Sequence, residues 1–149
     1  MKKKVIVINQ DDVKDCGPCC ILSIVRYYGG YVPIEKIRED TYENHEGTSV
    51  YHLVNTLVNY GFDAVAKKYP DNTLPDLLPA IVHVHYENGL DHFLVLYEIN
   101  NDKLIIMDPA KGKITLSKKL KSDIPAYKTL TDSQLFNQSF INENLPQPA

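Results

Sequence analysis

An α+β fold, with helices first and an antiparallel sheet packed on them, is predicted by two observations on the sequence. Up to Gly61 the apolar residues recur at helical spacing, whereas from Pro79 onward they fall into β-branched and aromatic runs separated by turn signals. The size suits one domain, because 149 residues, 44% of them hydrophobic, fill one core and are too few for two comfortable ones.

The elements follow in order. Lys4 to Ile8, "KVIVI", is β-rich and short, and the polar "NQDDVKD" after it leads into a helix that opens around "DCGPCC". Pro18 suits a first helical turn, where a missing N–H does no harm. Cys20, Ile21, Ile24, Val25 and Tyr28 then recur at helical spacing, and Gly29-Gly30 ends the helix in a left-handed cap. Cys16 therefore sits at or just before a helix N-terminus. Pro33 to Tyr42 reads as a short helix with Ile34 and Ile37 inward. Thr48-Ser49 caps a third, in which Val50, Leu53, Val54, Leu57 and Val58 form one apolar stripe that stops at Gly61. A short strand, Phe62 to Tyr69, and a Pro-punctuated link with a helical turn follow. Asn88-Gly89, Asn100-Asn101 and Ala110-Lys111-Gly112 then divide an antiparallel meander. Residues 123–149, with Pro, Asn and Gln among scattered apolar residues, read as a linker or a partly disordered tail.

Composition excludes several classes of function. A formal charge of −3 and a pI near 5.9 give no basic footprint for nucleic acid. The N-terminal apolar run, Val5 to Ile8, is shorter than the roughly 7–15 residues of a signal-peptide core, and no stretch reaches the roughly 18–20 of a membrane span. Three cysteines within five positions cannot staple distant parts of a fold, so a reducing cytoplasm fits. With no second C-x-x-C and no neighbouring His, they give little reason for a zinc site, and nothing in the sequence asks for a cofactor.

Register brings two distant polar residues together. A two- or three-residue turn at Asn100-Asn101 makes facing positions sum to about 200–202, which sets His92 across from Asp108. His92, Leu94 and Leu96 share one face of their strand; Leu104, Ile106 and Asp108 share the same face of the next. A carboxylate held against an imidazole fixes its tautomer and raises its basicity. The group for it to act on is Cys16, since a thiol at a helix N-terminus is favoured as the nucleophilic thiolate. Gln10, six residues earlier in a loop able to fold back, offers side-chain N–H donors that would form an oxyanion hole with the Cys16 backbone N–H.

Each of these residues has a plainer reading when taken alone. A Cys at a helix start is commonly a small buried hydrophobe, and an Asp before Pro109 is commonly a turn-former. Their combination carries the case. His83 and His85 share a strand face, and a turn at Asn88-Gly89 places His85 opposite His92 as a rival base, with no carboxylate set opposite either of them by a simple turn. His45 and His52 read as surface residues, and Cys19 and Cys20 as core packing. The spacing Cys16-Gly17-Pro18-Cys19 also matches a redox dithiol, yet too few residues precede it for a thioredoxin-like βαβ segment, and that reading leaves Gln10, His92 and Asp108 unexplained.

The stretch "QDDVKDCGPCCILSIVRYYGG" resembles the opening of the bacteriocin-processing cysteine peptidases, papain-like domains at the N-terminus of peptidase-containing ABC exporters. Gln10, Cys16, Gly17, Cys20 and Tyr27-Tyr28-Gly29 match that opening. "EGTSVYHLVNTLVNYGFDA" resembles the family's next helix, and "LDHFLVLYEI" with "IIMDP" resembles its His and Asp motifs. The likeness runs from Gln10 to Lys113 and assigns residues 1–122 to the peptidase domain. It implies cleavage of a precursor's leader peptide directly after Gly-Gly or Gly-small, coupled to export, with Cys16, His92, Asp108 and Gln10 as the catalytic set. It further implies an amphipathic leader helix in a shallow groove, transporter membrane and ATPase domains as partners, and a place at the cytosolic face of the membrane. Cys19 stands where the family commonly has Ala, and "SDIPAYKTLTDSQLFNQSF" does not match the family's closing Phe- and Trp-containing strand.

Overall fold

The computed structural model describes residues 4–11, 13–41, 49–68, 78–85, 91–101, 103–117 and 134–141. Three helices come first: α1 (Cys16–Tyr27), α2 (Ile34–Thr41) and α3 (Val50–Asn59), with a single 3-10 turn, Val13–Asp15, leading into α1. Six strands follow: β1 (Phe62–Lys68), β2 (Ala80–His85), β3 (Asp91–Asn100), β4 (Lys103–Asp108), β5 (Gly112–Ser117) and β6 (Gln134–Ile141). Residues 4–10, although β-rich, take no regular structure and run alongside α1, where the Ser23 hydroxyl donates to the Ile6 carbonyl at 2.6 Å.

Every residue of α1 from Cys16 to Val25 is buried, so this helix is enclosed on all sides rather than along one stripe. Burying side chains such as Ile21, Ile24 and Val25 contributes about 1.5–3 kcal/mol each. The polar exception on this helix, Ser23, is satisfied by Ile6 and by the Tyr97 hydroxyl of β3. The helix ends where Gly29, at φ 87°, enters the left-handed region, and the Gly30 N–H closes back on the Val25 carbonyl. In α3 the Ser49 hydroxyl accepts the His52 N–H, as the capping pattern requires, and Leu53 and Leu57 are buried. Val58, read as part of the stripe, is instead about half exposed, and Thr56 takes the inward place.

The sheet is antiparallel, with strand order β1-β6-β2-β3-β4-β5. The segment β2 to β5 is the expected meander. Side chains of β3 alternate between two apolar clusters. Phe93, Val95 and Tyr97 join Ile81, Met107 and the helices, whereas Leu94 and Leu96 join Val82, Leu104, Ile106 and Leu116 on the other face. With both faces covered, β3 is the strand on which the core is built.

The C-terminal segment corrects the sequence reading. Within the span read as a linker or tail, Gln134–Ile141 forms β6, which inserts between β1 and β2 and pairs with both. Its sequence, QLFNQSFI, lacks a clean alternation, so it gives no periodic signal; its pairing is set by two strands far away in the chain. A chain ending at residue 122 would unpair one side of β1 and of β2. We expect it to melt at least 10 °C below the full chain, or not to fold, when the two are compared by circular dichroism.

Candidate active site

Asp108 ends β4 and is fully buried, while His92, near the start of β3, is 7% exposed. The two meet through His92 Nε2 and Asp108 Oδ1 at 2.7 Å. Their meeting on one face is what the sequence predicts, but the register differs in detail. Asn100 pairs with Lys103 and Ile99 with Leu104; a bulge between Leu96 and Glu98 then shifts the ladder so that Val95 faces Met107. His92 therefore reaches Asp108 along a diagonal rather than straight across. Asp108 Oδ1 also accepts the Ala110 N–H at 2.9 Å, which fixes the carboxylate in the turn to β5.

α1 packs on β3, and the Cys16 thiol at its start shares a side-chain hydrogen bond with His92. Burial by itself would lower the His92 pKa. The hydrogen bonds to Asp108 and Cys16, with the electrostatic attraction of both, outweigh that effect and raise it to about 9. The imidazolium is thus the favoured form at neutral pH.

Gln10 is brought to the same place by its backbone, whose N–H donates to the Pro109 carbonyl at 2.9 Å, one residue beyond Asp108. Its side-chain Oε1 is buried and has no hydrogen-bond partner among the described residues. Buried polar atoms without partners are rare, and they collect at sites that a ligand completes.

In the backbone register Val84, not His85, pairs with His92, and His85 pairs with Asp91, one residue away from the register that made His85 a rival base. His83 stacks on Phe93 with ring centroids 4.5 Å apart. His52 bonds the Ser49 cap through Nδ1 at 2.6 Å, and His45 lies outside the described residues. Cys19 and Cys20 are buried free thiols. Burial, then the charge of Asp15, pushes the Cys19 thiol up to about 12, and burial pushes Cys20 well above its usual value. Neither is poised as a thiolate.

One part of the site could not be read from the sequence. Asp15, immediately before Cys16, is buried, and Arg38 of α2 forks onto its carboxylate at 2.9 Å (Nε to Oδ1) and 2.7 Å (Nη2 to Oδ2). The same Nη2 reaches Asp11 Oδ2 at 3.2 Å. An acid next to the cysteine was visible, but its partner, 23 residues on, is a matter of tertiary packing.

Comparison with known proteins places the chain in a family. The Peptidase C39 family pattern matches residues 4–122. The chain belongs to the peptidase C39 family. This C39 chain is 40% identical over 117 residues, 76% of its length, to a lactococcin-G-processing and transport ATP-binding protein of Lactococcus lactis subsp. lactis. It is 35% identical over 103 residues to a pediocin PA-1 transport/processing ATP-binding protein of Pediococcus acidilactici. It spans only 16% and 14% of those two relatives. Among solved structures, it resembles a double glycine motif protease from an AMS/PCAT transporter in complex with the leader peptide, with a TM-score of 0.74, 26% identity, and 92% and 94% of the two chains covered. The peptidase domain of Streptococcus ComA, a bi-functional ABC transporter, gives a TM-score of 0.74 at 28% identity, covering 97% of this chain and 100% of that one. The helices followed by an antiparallel sheet are the papain-like arrangement of C39 domains. Among the described residues of this one, no helix is long and apolar enough to cross a membrane, and no group of three His, Cys, Asp or Glu side chains could hold a metal ion.

Proposed function

We propose that this C39 domain removes the leader of a precursor peptide by cutting directly after a Gly-Gly or Gly-small pair, using Cys16 as nucleophile. The observation that carries the reading is the chain of contacts from Cys16 to His92 to Asp108 at the start of a buried helix. The Cys16 thiolate attacks the carbonyl of the leader's last residue, and the Cys16 N–H and the Gln10 amide hold the oxyanion. His92, kept charged and oriented by Asp108, protonates the departing amine. Water, deprotonated by His92, then releases the leader from the acyl-enzyme.

The relatives, processing and transport ATP-binding proteins, support a partner of the same kind: transporter membrane and ATPase domains, in the same chain or a separate one. The domain then works at the cytosolic face of the membrane, on a peptide with an amphipathic helical leader. A dithiol oxidoreductase has no comparable support, since Cys19 is buried and its thiol is held in the protonated form.

The test is a panel of synthetic precursors ending their leaders in Gly-Gly, Gly-Ala or Gly-Phe, incubated with the reduced protein and with Cys19→Ala, and read by mass. One cut after the second residue of Gly-Gly and Gly-Ala, absent for Gly-Phe and retained within about threefold in Cys19→Ala, is the expected result. No cut in any leader would remove the reading, and a cut that needs Cys19 would return the dithiol.

A further inference from the structure

Asp15 stands at the N-cap of α1, a position where Asp ordinarily accepts hydrogen bonds from the first-turn N–H groups. Here its side chain makes no capping bond. The carboxylate is turned away to Arg38, which holds both oxygens in a fork, and it also accepts a long contact, 3.4 Å, from the Asp11 N–H. Pro18, in the first turn, has no N–H to offer, so Gly17, next to Cys16, carries the one donor that a capping Asp15 would occupy.

The geometry points to Arg38 as a positioning residue for the reaction: by holding the Asp15 carboxylate off the N-terminus of α1, it keeps the Gly17 N–H uncapped and keeps the carboxylate away from the helix start, where the Cys16 N–H meets a reacting carbonyl. The inference rests on the leader-peptidase reading, because those donors matter only if an oxyanion forms beside Cys16. The same fork has an electrostatic effect. An Asp15 carboxylate without Arg38 would be an uncompensated buried negative charge one residue from the nucleophile, and it would disfavour the thiolate. Arg38 also reaches Asp11, so it fixes the loop between Gln10 and Cys16 from one side while the Gln10 to Pro109 bond fixes it from the other. Two donors contributed by different parts of that loop are thereby kept at one spacing.

The groups that bear on Cys16 come from every neighbouring element. Cys19 and Cys20 lie on its own helix and interact with it, as does His92 on the sheet; Asp15, Arg38 and Asp11 act on Cys19 in the same turn, and Asp108 on Cys20 and His92. Arg38 is the only one of these that offsets the Asp15 charge by direct contact among the described residues.

The test compares wild type, Arg38→Gln, Arg38→Lys and Asp15→Ala/Arg38→Gln in leader cleavage, with the rate of Cys16 alkylation by iodoacetamide at pH 7 measured alongside by mass. In Arg38→Gln, kcat should fall at least tenfold with KM within twofold, and Cys16 alkylation should slow. Arg38→Lys, which keeps the charge without the fork, should fall between. The decisive variant is the double one. Removing the carboxylate that Arg38 restrains should return kcat and the alkylation rate most of the way to wild type, although it deletes a second side chain. A double variant no better than Arg38→Gln, or a loss carried by KM, would overturn the inference, as would an unchanged Arg38→Gln. Should Arg38→Gln not fold, Arg38→Lys against Asp15→Ala/Arg38→Lys makes the same comparison. Wild type in the same assay reports separately on the peptidase reading, and alkylation reports on Cys16 whether or not a leader is cut.

Discussion

Cys16→Ala will reduce leader cleavage by about 10⁴-fold or more while leaving the affinity for the leader unchanged. In a covalent mechanism no other group can take the place of the attacking atom; loss of a nucleophile alone removes nearly all the catalysis that its whole triad supplies. Cys16 is 6% exposed and packs at the start of α1, so replacing its sulfur with hydrogen trims one contact and should lower stability by only about 1 kcal/mol. Leader affinity, measured by fluorescence anisotropy with an uncut labelled peptide, separates the two effects. Cleavage near the wild-type rate would place the nucleophile elsewhere in the chain and end the mechanism. Wild-type cleavage with loss in Cys16→Ala of both cutting and binding would point to a misfolded variant, which the melting curve identifies.

Asp108→Asn should slow cleavage by roughly 10²- to 10⁴-fold, with a rate still measurable, because the imidazole keeps a hydrogen-bonding neighbour but loses the charge that holds it protonated. The amide oxygen of Asn can still accept the Ala110 N–H, so the turn to β5 is retained and the loss can be assigned to charge rather than to folding. The pH dependence gives a second reading of the same change. The His92 pKa is raised from its ordinary 6.5 to about 9, so the stability contributed by the charged form is complete below about pH 6.5 and is lost as pH rises through 9. In wild type both the melting temperature and kcat/KM should therefore decline on the alkaline side near pH 9. In Asp108→Asn that decline should begin at lower pH. An alkaline limb that stays in place would mean that Asp108 does not support the charge on His92.

The pairing of His92 with Asp108 was legible because strand side chains alternate strictly, so that two even-numbered positions on neighbouring strands share a face whenever an even-numbered residue faces an even-numbered one, as Leu96 faces Ile106. The bulge at Leu96/Glu98 was not legible; near the turn Ile99 faces Leu104, a register that would put His92 and Asp108 on opposite faces, and the bulge restores the register in which they share one, as a diagonal rather than a facing pair. A similar one-residue difference at the β2–β3 turn displaced His85 from His92, which shows how little tolerance a proposal of directly facing residues has. Helix ends were readable from Ser49, Gly29 and Gly61, since caps are local chemistry. By contrast, the Asp15–Arg38 fork and the strand Gln134–Ile141 take their meaning from partners distant in sequence, and neither leaves a periodic trace.

The place of β6 also sets an order of events during synthesis. The meander that carries His92 and Asp108 consists of neighbours in sequence, so its hairpins can close as they leave the ribosome. The sheet is joined to β1 only when Gln134 has met Lys68 and Ile141 has met Phe62. A nascent chain halted before that point holds all four residues of the candidate site without the strand that links β1 to β2. Competence to cut a leader would therefore wait until β6 has been made and has found its slot between two strands that were made well before it.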